Sequence, residues 1–201
     1  QVASFANAAQ KAHKLKAILI KEDEGSWLLP QILASTGLRE SKHLFLSSGW
    51  DVPRRVLQAW QLDSQDILIA EARVLGDDLT VVSCAGETFQ MPFSAIRVLK
   101  AMPEQKRSDF EIDEDGSFIH WPEGDIHLDI DGIRYVTDEE FKKKTDCKRI
   151  QYDRRYGATI AQLRKAHGLK QTDIPGLSER QVRRIEKGER PVTVKSLERL
   201  A

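Results

Sequence analysis

Between Asp66 and Phe93, apolar runs rich in β-branched residues are broken by glycines. D-I-L-I-A-E-A-R-V-L leads into Gly76-Asp77-Asp78, L-T-V-V-S-C-A-G returns, and E-T-F-Q-M-P-F follows Gly86. Strand, turn, strand, turn, strand predicts an antiparallel meander. The period then lengthens, and Ile96, Leu99 and Met102 predict a helix over Ser94 to Met102. F-E-I-D and S-F-I-H-W alternate around E-D-G, which predicts a second hairpin ahead of P-E-G-D-I-H-L-D-I-D-G. Residues 65–136 therefore read as an α+β domain.

The pattern ahead of it is mixed. The front of residues 1–20 is alanine-rich and lysine-studded and reads as a helix, with Ile18 to Ile20 as extended chain. Glu22 to Gly25 is a polar turn. S-W-L-L-P-Q-I-L-A-S-T-G reads as a short helix interrupted at Pro30, while H-L-F-L alternates as a strand does. Asp51 to Trp60 is a better helix, with Pro53 in its first turn and Val56, Leu57 and Trp60 on one side. No function attaches to residues 1–64.

Behind it the period is helical throughout. Thr137 and Glu140 have the spacing of a capping box, and residues 137–156 read as a helical connector with Phe141 and Ile150 docking on either side. Ile160, Leu163 and Leu169 supply apolar positions before His167-Gly168 and after it. Ser178 is a good N-cap, Gly188 a good terminator, and between them Val182 and Ile185 form one narrow apolar face. Val194, Leu197 and Leu200 begin another helix. Several short helices around a few aliphatics, with one basic polar helix left over, is how a helix-turn-helix is built, here over residues 157–201. The fold class expected is α+β: an antiparallel-sheet N-terminal domain followed by an all-α helix-turn-helix domain.

Charge sharpens that division. The formal net charge is zero, yet residues 141–201 carry 17 Lys and Arg against 7 Asp and Glu, which leaves 14 against 24 for residues 1–140. A basic patch suits a polyanion, and an acidic domain of that size repels one. No apolar run reaches membrane-spanning length and no signal-peptide pattern is present, so a cytoplasmic protein is expected. Two well-separated cysteines, Cys84 and Cys147, indicate neither a disulfide framework nor a thiolate zinc site. The chain opens on Gln and stops at Leu200-Ala201, which predicts a fragment.

L-R-K-A-H-G-L-K-Q, then L-S-E-R-Q-V-R-R-I-E-K-G-E-R and a closing L-E-R-L-A, resemble the lambda-repressor-like regulators, also called the xenobiotic-response-element family. The resemblance covers about a quarter of the chain. It implies that Gln171 caps the second helix and touches a backbone phosphate. Glu179, Arg180 and Arg184 would face base edges, and Gln181, Arg183, Lys187 and Arg190 would lie near phosphates. The segment from Gln171 to Ser178 is about one turn shorter than the family pattern and contains Pro175, so the positioning helix is expected to be a single turn. Independently of family, the planar fork of arginine matches the two major-groove acceptors of guanine, which favours Arg180 and Arg184 for readout.

The meander, the A-x-P-E-Q-K-R helix end and D-G-x-x-I-H-W-P-x-x-D-I-H-L-D are similar to a bacterial domain family of unknown function, number 2442, over roughly residues 65–135. Some of its members are thought to act as antitoxin-like partners of small proteins. Two functional expectations follow. The first is a dimeric, sequence-specific regulator of transcription, a repressor, binding double-stranded DNA. The second is an antitoxin-like module that binds a small protein and autoregulates its operon.

Enzyme chemistry is not expected. Ser83 and Cys84 lie inside a predicted strand with no elbow glycines, and no Gly-rich phosphate loop exists. His120, Asp125, His127 and Asp129 invite a metal hypothesis, but no three-ligand set of regular spacing emerges. They read as structural residues, with Trp121 and Pro122 packing the corner and the carboxylates meeting loop amides. No metal and no cofactor are expected.

Overall fold

The computed structural model describes residues 44–191 continuously, together with residue 193 and residues 4, 8, 9, 11, 12, 17–21, 31, 33 and 34. The closing helix expected through Val194, Leu197 and Leu200, and most of the reading of residues 1–43, lie outside the described residues. The chain divides into two units, Gln1–Thr137 and Asp138–Ala201.

The first unit is α+β. Its opening strands β1 (Ile18–Lys21) and β2 (Leu44–Ser47) pair from Ile18↔Leu44 to Lys21↔Ser47 and run parallel, which departs from the expectation of antiparallel pairing alone. Helix α1 (Asp51–Gln61) tolerates Pro53 because amides of the first turn have no intrahelical acceptor to lose. It buries Val56 and Ala59 and leaves Leu57 exposed. That corrects the expected apolar side: Leu57 is about 100° around the helix from Val56.

The meander forms as expected. Strands β3 (Ile69–Leu75), β4 (Asp78–Ser83) and β5 (Thr88–Pro92) pair antiparallel in that order. The helix expected over Ser94 to Met102 is broken instead. A 3-10 turn, Phe93–Ala95, is followed by the one-turn helix α2 (Arg97–Lys100), with Ile96 extended between them. In an unbroken helix Phe93 and Leu99 would face about 120° apart; the break lets both be fully buried.

A second antiparallel sheet follows, β6 (Glu111–Ile112), β7 (Ile119–Trp121) and β8 (Ile126–Leu128), in which Ile119 pairs with Leu128, His120 with His127 and Trp121 with Ile126. The turn ahead of β7 is fixed to β3: the Ile69 amide donates to Gly116 O at 2.7 Å. A Cβ on Gly116 would lie 2.4 Å from Ile69 O, and its φ is +83°. Helix α3 (Ile130–Thr137) closes the unit and buries Ile130 and Ile133. Ile69, Leu79, Val81, Met91, Phe93, Leu99, Ile119 and Trp121 join them in one core.

In the second unit every described element is helical. Helix α4 (Glu139–Ala166) is continuous for 28 residues, so the expected connector and the following helix form one rod. Asp138 is its N-cap, accepting from the amides of Glu140 and Phe141 at 2.8 and 3.0 Å. The Thr137 hydroxyl expected in that role donates to Ile133 O within α3. A 3-10 turn, Gln171–Asp173, and helix α5 (Glu179–Glu186) follow. The unit buries Ile174, Val182 and Ile185.

Leu163 and Leu169, expected to point inward, are 58% and 41% exposed, and Ile150 is exposed too. For Leu163 the reason is the rotation of α4: its close approach to α5 is at Gly157, and Leu163 lies about 120° around the axis from there. Among the described residues no helix is long and apolar enough to cross a membrane.

Candidate nucleic-acid interface

Helix α5 is short, so its position depends on its ends and on one close crossing. Ser178 begins it: its hydroxyl accepts from the Gln181 amide at 3.4 Å, and Gln181 Oε1 accepts from the Ser178 amide at 2.8 Å. This reciprocal arrangement satisfies two otherwise orphaned donors. Gly188 ends it at φ +67°. Both glycines at the crossing are required by space: a Cβ on Gly157 would lie 2.2 Å from Ile185 O, and one on Gly188 would lie 2.6 Å from the Arg154 backbone.

A buried ion pair locks the C-terminal turn. Glu186 Oε1 accepts from Arg164 Nε at 2.5 Å, while its Oε2 accepts from Arg164 Nη2 at 3.1 Å and from Gln171 Nε2 at 2.6 Å. Arg164 and Glu186 side chains are only 9% and 8% exposed. Burial pushes the Glu186 carboxyl up, but the hydrogen bonds from Arg164 and Gln171 outweigh it and hold the group below the usual glutamate value. The Arg164 guanidinium, hydrogen-bonded to Glu186, is shifted up.

What α5 shows to solvent follows from that seating. At about 100° per residue, Arg180, Arg184 and Lys187 lie within about 35° of the direction opposite the edge formed by Val182, Ile185 and Glu186. All three are exposed. Arg183 and Gln181 fall on the two flanks, and Glu179 lies closer to the buried edge. Glu189 approaches Arg184 Nε at 3.9 Å and Lys187 Nζ at 4.0 Å, long contacts between exposed groups that contribute little. Arg190 is exposed beyond Gly188.

The eight residues singled out in the sequence thus separate into two kinds. Arg180, Arg184 and Lys187 share one outward stripe, with Glu179, Arg183 and Arg190 exposed around it. Gln171 and Gln181 spend side-chain atoms on Glu186 and on the Ser178 cap. The Arg164–Glu186 pair was not anticipated. Its only signal is the charged residue directly after the packed Ile185, in R-R-I-E.

Cys84 is fully buried, and burial raises its thiol to about 12 against the opposing effect of Arg55, so it is not a thiolate at neutral pH. Ser83 Oγ accepts from the Glu87 amide. Asp129 Oδ1 accepts from the Gly132 amide at 2.7 Å at the start of α3, a structural task. His120, Asp125 and His127, by contrast, come together. A cavity of about 170 Å³ lies beside Met102, Trp121 and Ile126; Lys106 at its rim pairs with Glu123 at 3.3 Å and Asp109 at 3.5 Å.

Among known proteins, residues 69–136 match the model of a protein family of unknown function (DUF2442). The match covers the meander, the second sheet and α3, about a third of the chain, and agrees with the similarity read from residues 65–135. No curated protein matches the chain. No solved structure matches it either.

Proposed function

We propose that this chain is a sequence-specific, double-stranded-DNA-binding regulator of transcription. It comprises an acidic, antiparallel-sheet α+β domain followed by an all-α helix-turn-helix domain, and acts in the cytoplasm as a homodimer that represses by occupying a promoter. The observation that carries this reading is the stripe of Arg180, Arg184 and Lys187 on a helix whose opposite edge is packed and whose two ends are fixed. A rigid cationic helix face of this width suits the major groove, where arginine reads guanine bidentately. Arg180 and Arg184 read bases, with Glu179 at the N-terminal end of the same surface. Arg183, Lys187 and Arg190 supply sequence-blind attraction to phosphates. The free amide hydrogens of Gln181 add to it, and Gln171 acts through Glu186. Two such helices in a dimer address half-sites about one helical turn, roughly 34 Å, apart.

The test is selection from a library of duplex DNA by the whole chain. Enrichment of a palindrome is expected, and Arg184→Ala should cost about 1–3 kcal/mol and relax one base position in each half-site. Absence of DNA binding at low salt sinks the proposal. The excess of acidic residues in residues 1–140 favours a second reading, an antitoxin-like module holding a small basic protein. Co-purification of such a protein with the wild-type chain and with Arg184→Ala alike supports it.

A further inference from the structure

We propose that His120, Asp125 and His127 form a binding site for one divalent transition-metal ion of the zinc class on the outer face of the β7–β8 hairpin. Strand register assembles it. His120 and His127 are cross-strand partners, so their side chains leave the sheet on the same face, while Ile119, Trp121 and Leu128 enter the core on the other. The two imidazoles stack with centroids 4.4 Å apart and planes 4° from parallel. The connecting turn ends at Asp125 in the left-handed conformation, φ 46° and ψ 44°. That backbone folds the carboxylate back over the hairpin, placing Oδ1 3.4 Å from His120 Nε2 and 3.9 Å from His127 Nδ1.

The three donor atoms lie within 4.8 Å of one another. Tetrahedral zinc, with bonds of about 2.0–2.2 Å to nitrogen and oxygen, holds its ligand atoms about 3.4 Å apart. The His120–Asp125 edge already has that length. Closing the His127–Asp125 edge takes about 0.5 Å and the His120–His127 edge at most about 1.4 Å by the same standard. Parallel rings aim their lone pairs side by side rather than at one point, so capture turns one ring about its Cβ–Cγ bond. His127 is the more exposed of the two, 47% against 30% for His120, and turning it takes its ring off the edge-on contact with Phe118 at 4.8 Å.

A second observation is independent of this convergence. Nε2 of His120 is out of contact with solvent yet has no hydrogen-bond partner. Buried polar atoms are rarely left bare, and a metal bond would satisfy this one from the direction in which Asp125 stands. Two imidazoles and one carboxylate suit zinc, nickel, cobalt and copper; magnesium and calcium take oxygen ligands. Three protein ligands leave at least one coordination position to water. The site lies within residues 69–136 and does not depend on the DNA-binding reading.

Calorimetric titration of the whole chain with zinc chloride tests it, in a Cys147→Ser background that removes the exposed thiol. One zinc per chain is expected. His127→Gln and Asp125→Asn should each weaken it at least tenfold; position 127 is exposed, and asparagine tolerates the left-handed backbone at 125. Metal-free melting curves of both variants should match the parent. Cobalt loading adds a readout of ligand type, with ligand-field bands in the parent that disappear in His127→Gln. Failure of the parent to bind zinc more tightly than the two variants overturns the proposal, as does zinc binding that neither substitution alters.

Discussion

Gly157 decides how closely the two helices of the second unit approach. Carbonyl oxygens of Ile185 and Glu186 stand 2.2 and 2.8 Å from where its Cβ would be, and backbone cannot move aside as a flexible side chain can. Gly157→Ala gains about 1 kcal/mol of helix propensity, yet the overpacking it forces costs about 1–3 kcal/mol. A net loss of stability is therefore expected in urea unfolding, although the same substitution on an exposed helix would stabilise. Stability equal to or above that of the parent would show that α4 and α5 do not cross this tightly. Arg55 acts at the same scale in the first unit. Its Nε and Nη2 both donate to Ala70 O, at 3.1 and 2.8 Å, and burial depresses its guanidinium from the ordinary arginine value.

Helix α5 has eight residues, too few to persist in water on propensity alone. Tertiary contacts hold it, and the Arg164–Glu186–Gln171 cluster joins it to α4 and to the turn before it. Glu186→Ala leaves the part-buried Arg164 guanidinium with Leu169 O but without its carboxylate, a loss expected to stay below the roughly 3–5 kcal/mol of a fully buried pair. The pH dependence follows from the lowered carboxyl of Glu186. Its contribution is fully present above the ordinary glutamate value of 4.5 and is lost as pH falls through the lower folded value. Melting curves of wild type and Glu186→Ala should differ most near neutrality and converge in acid. A difference that persists unchanged to pH 2 would mean that the ion pair is not its source.

Across the whole chain the opposite charges of its two parts cancel formally, and the cancellation predicts nothing about affinity for a polyanion. Counterion release counts only the cations that reach phosphates, with a slope of about −0.9 in log K against log salt for each. Arg183→Ala and Lys187→Ala should each flatten that slope by about 1 and weaken binding to all sequences alike. Arg184→Ala should change which sequence is preferred. Equal effects of all three on every sequence would reduce α5 to a nonspecific cationic surface.

Much was legible in the sequence because the forces involved are local. Alternation broken by Gly76 and Gly86 located the meander, and Ser178 and Gly188 located both ends of α5, since strand period, caps and left-handed turns involve neighbours along the chain. Val182 and Ile185 named its packed edge for the same reason. The misses share the opposite cause. Leu163 has the spacing of a core position, although only the rotation of α4 about Gly157 decides which face meets α5. The hydrogen bond from the Gln171 amide to Glu186, fifteen residues away, has no signature along the chain. The closeness of His120, Asp125 and His127 is invisible in their spacing along the chain, because a hairpin register and the left-handed Asp125 bring them together. Sequence by itself determined the meander, the second hairpin, both ends of α5 and the basic surface of that helix. Tertiary structure decided which side chains converge, because convergence depends on register and helix rotation, and both are fixed by packing between distant segments.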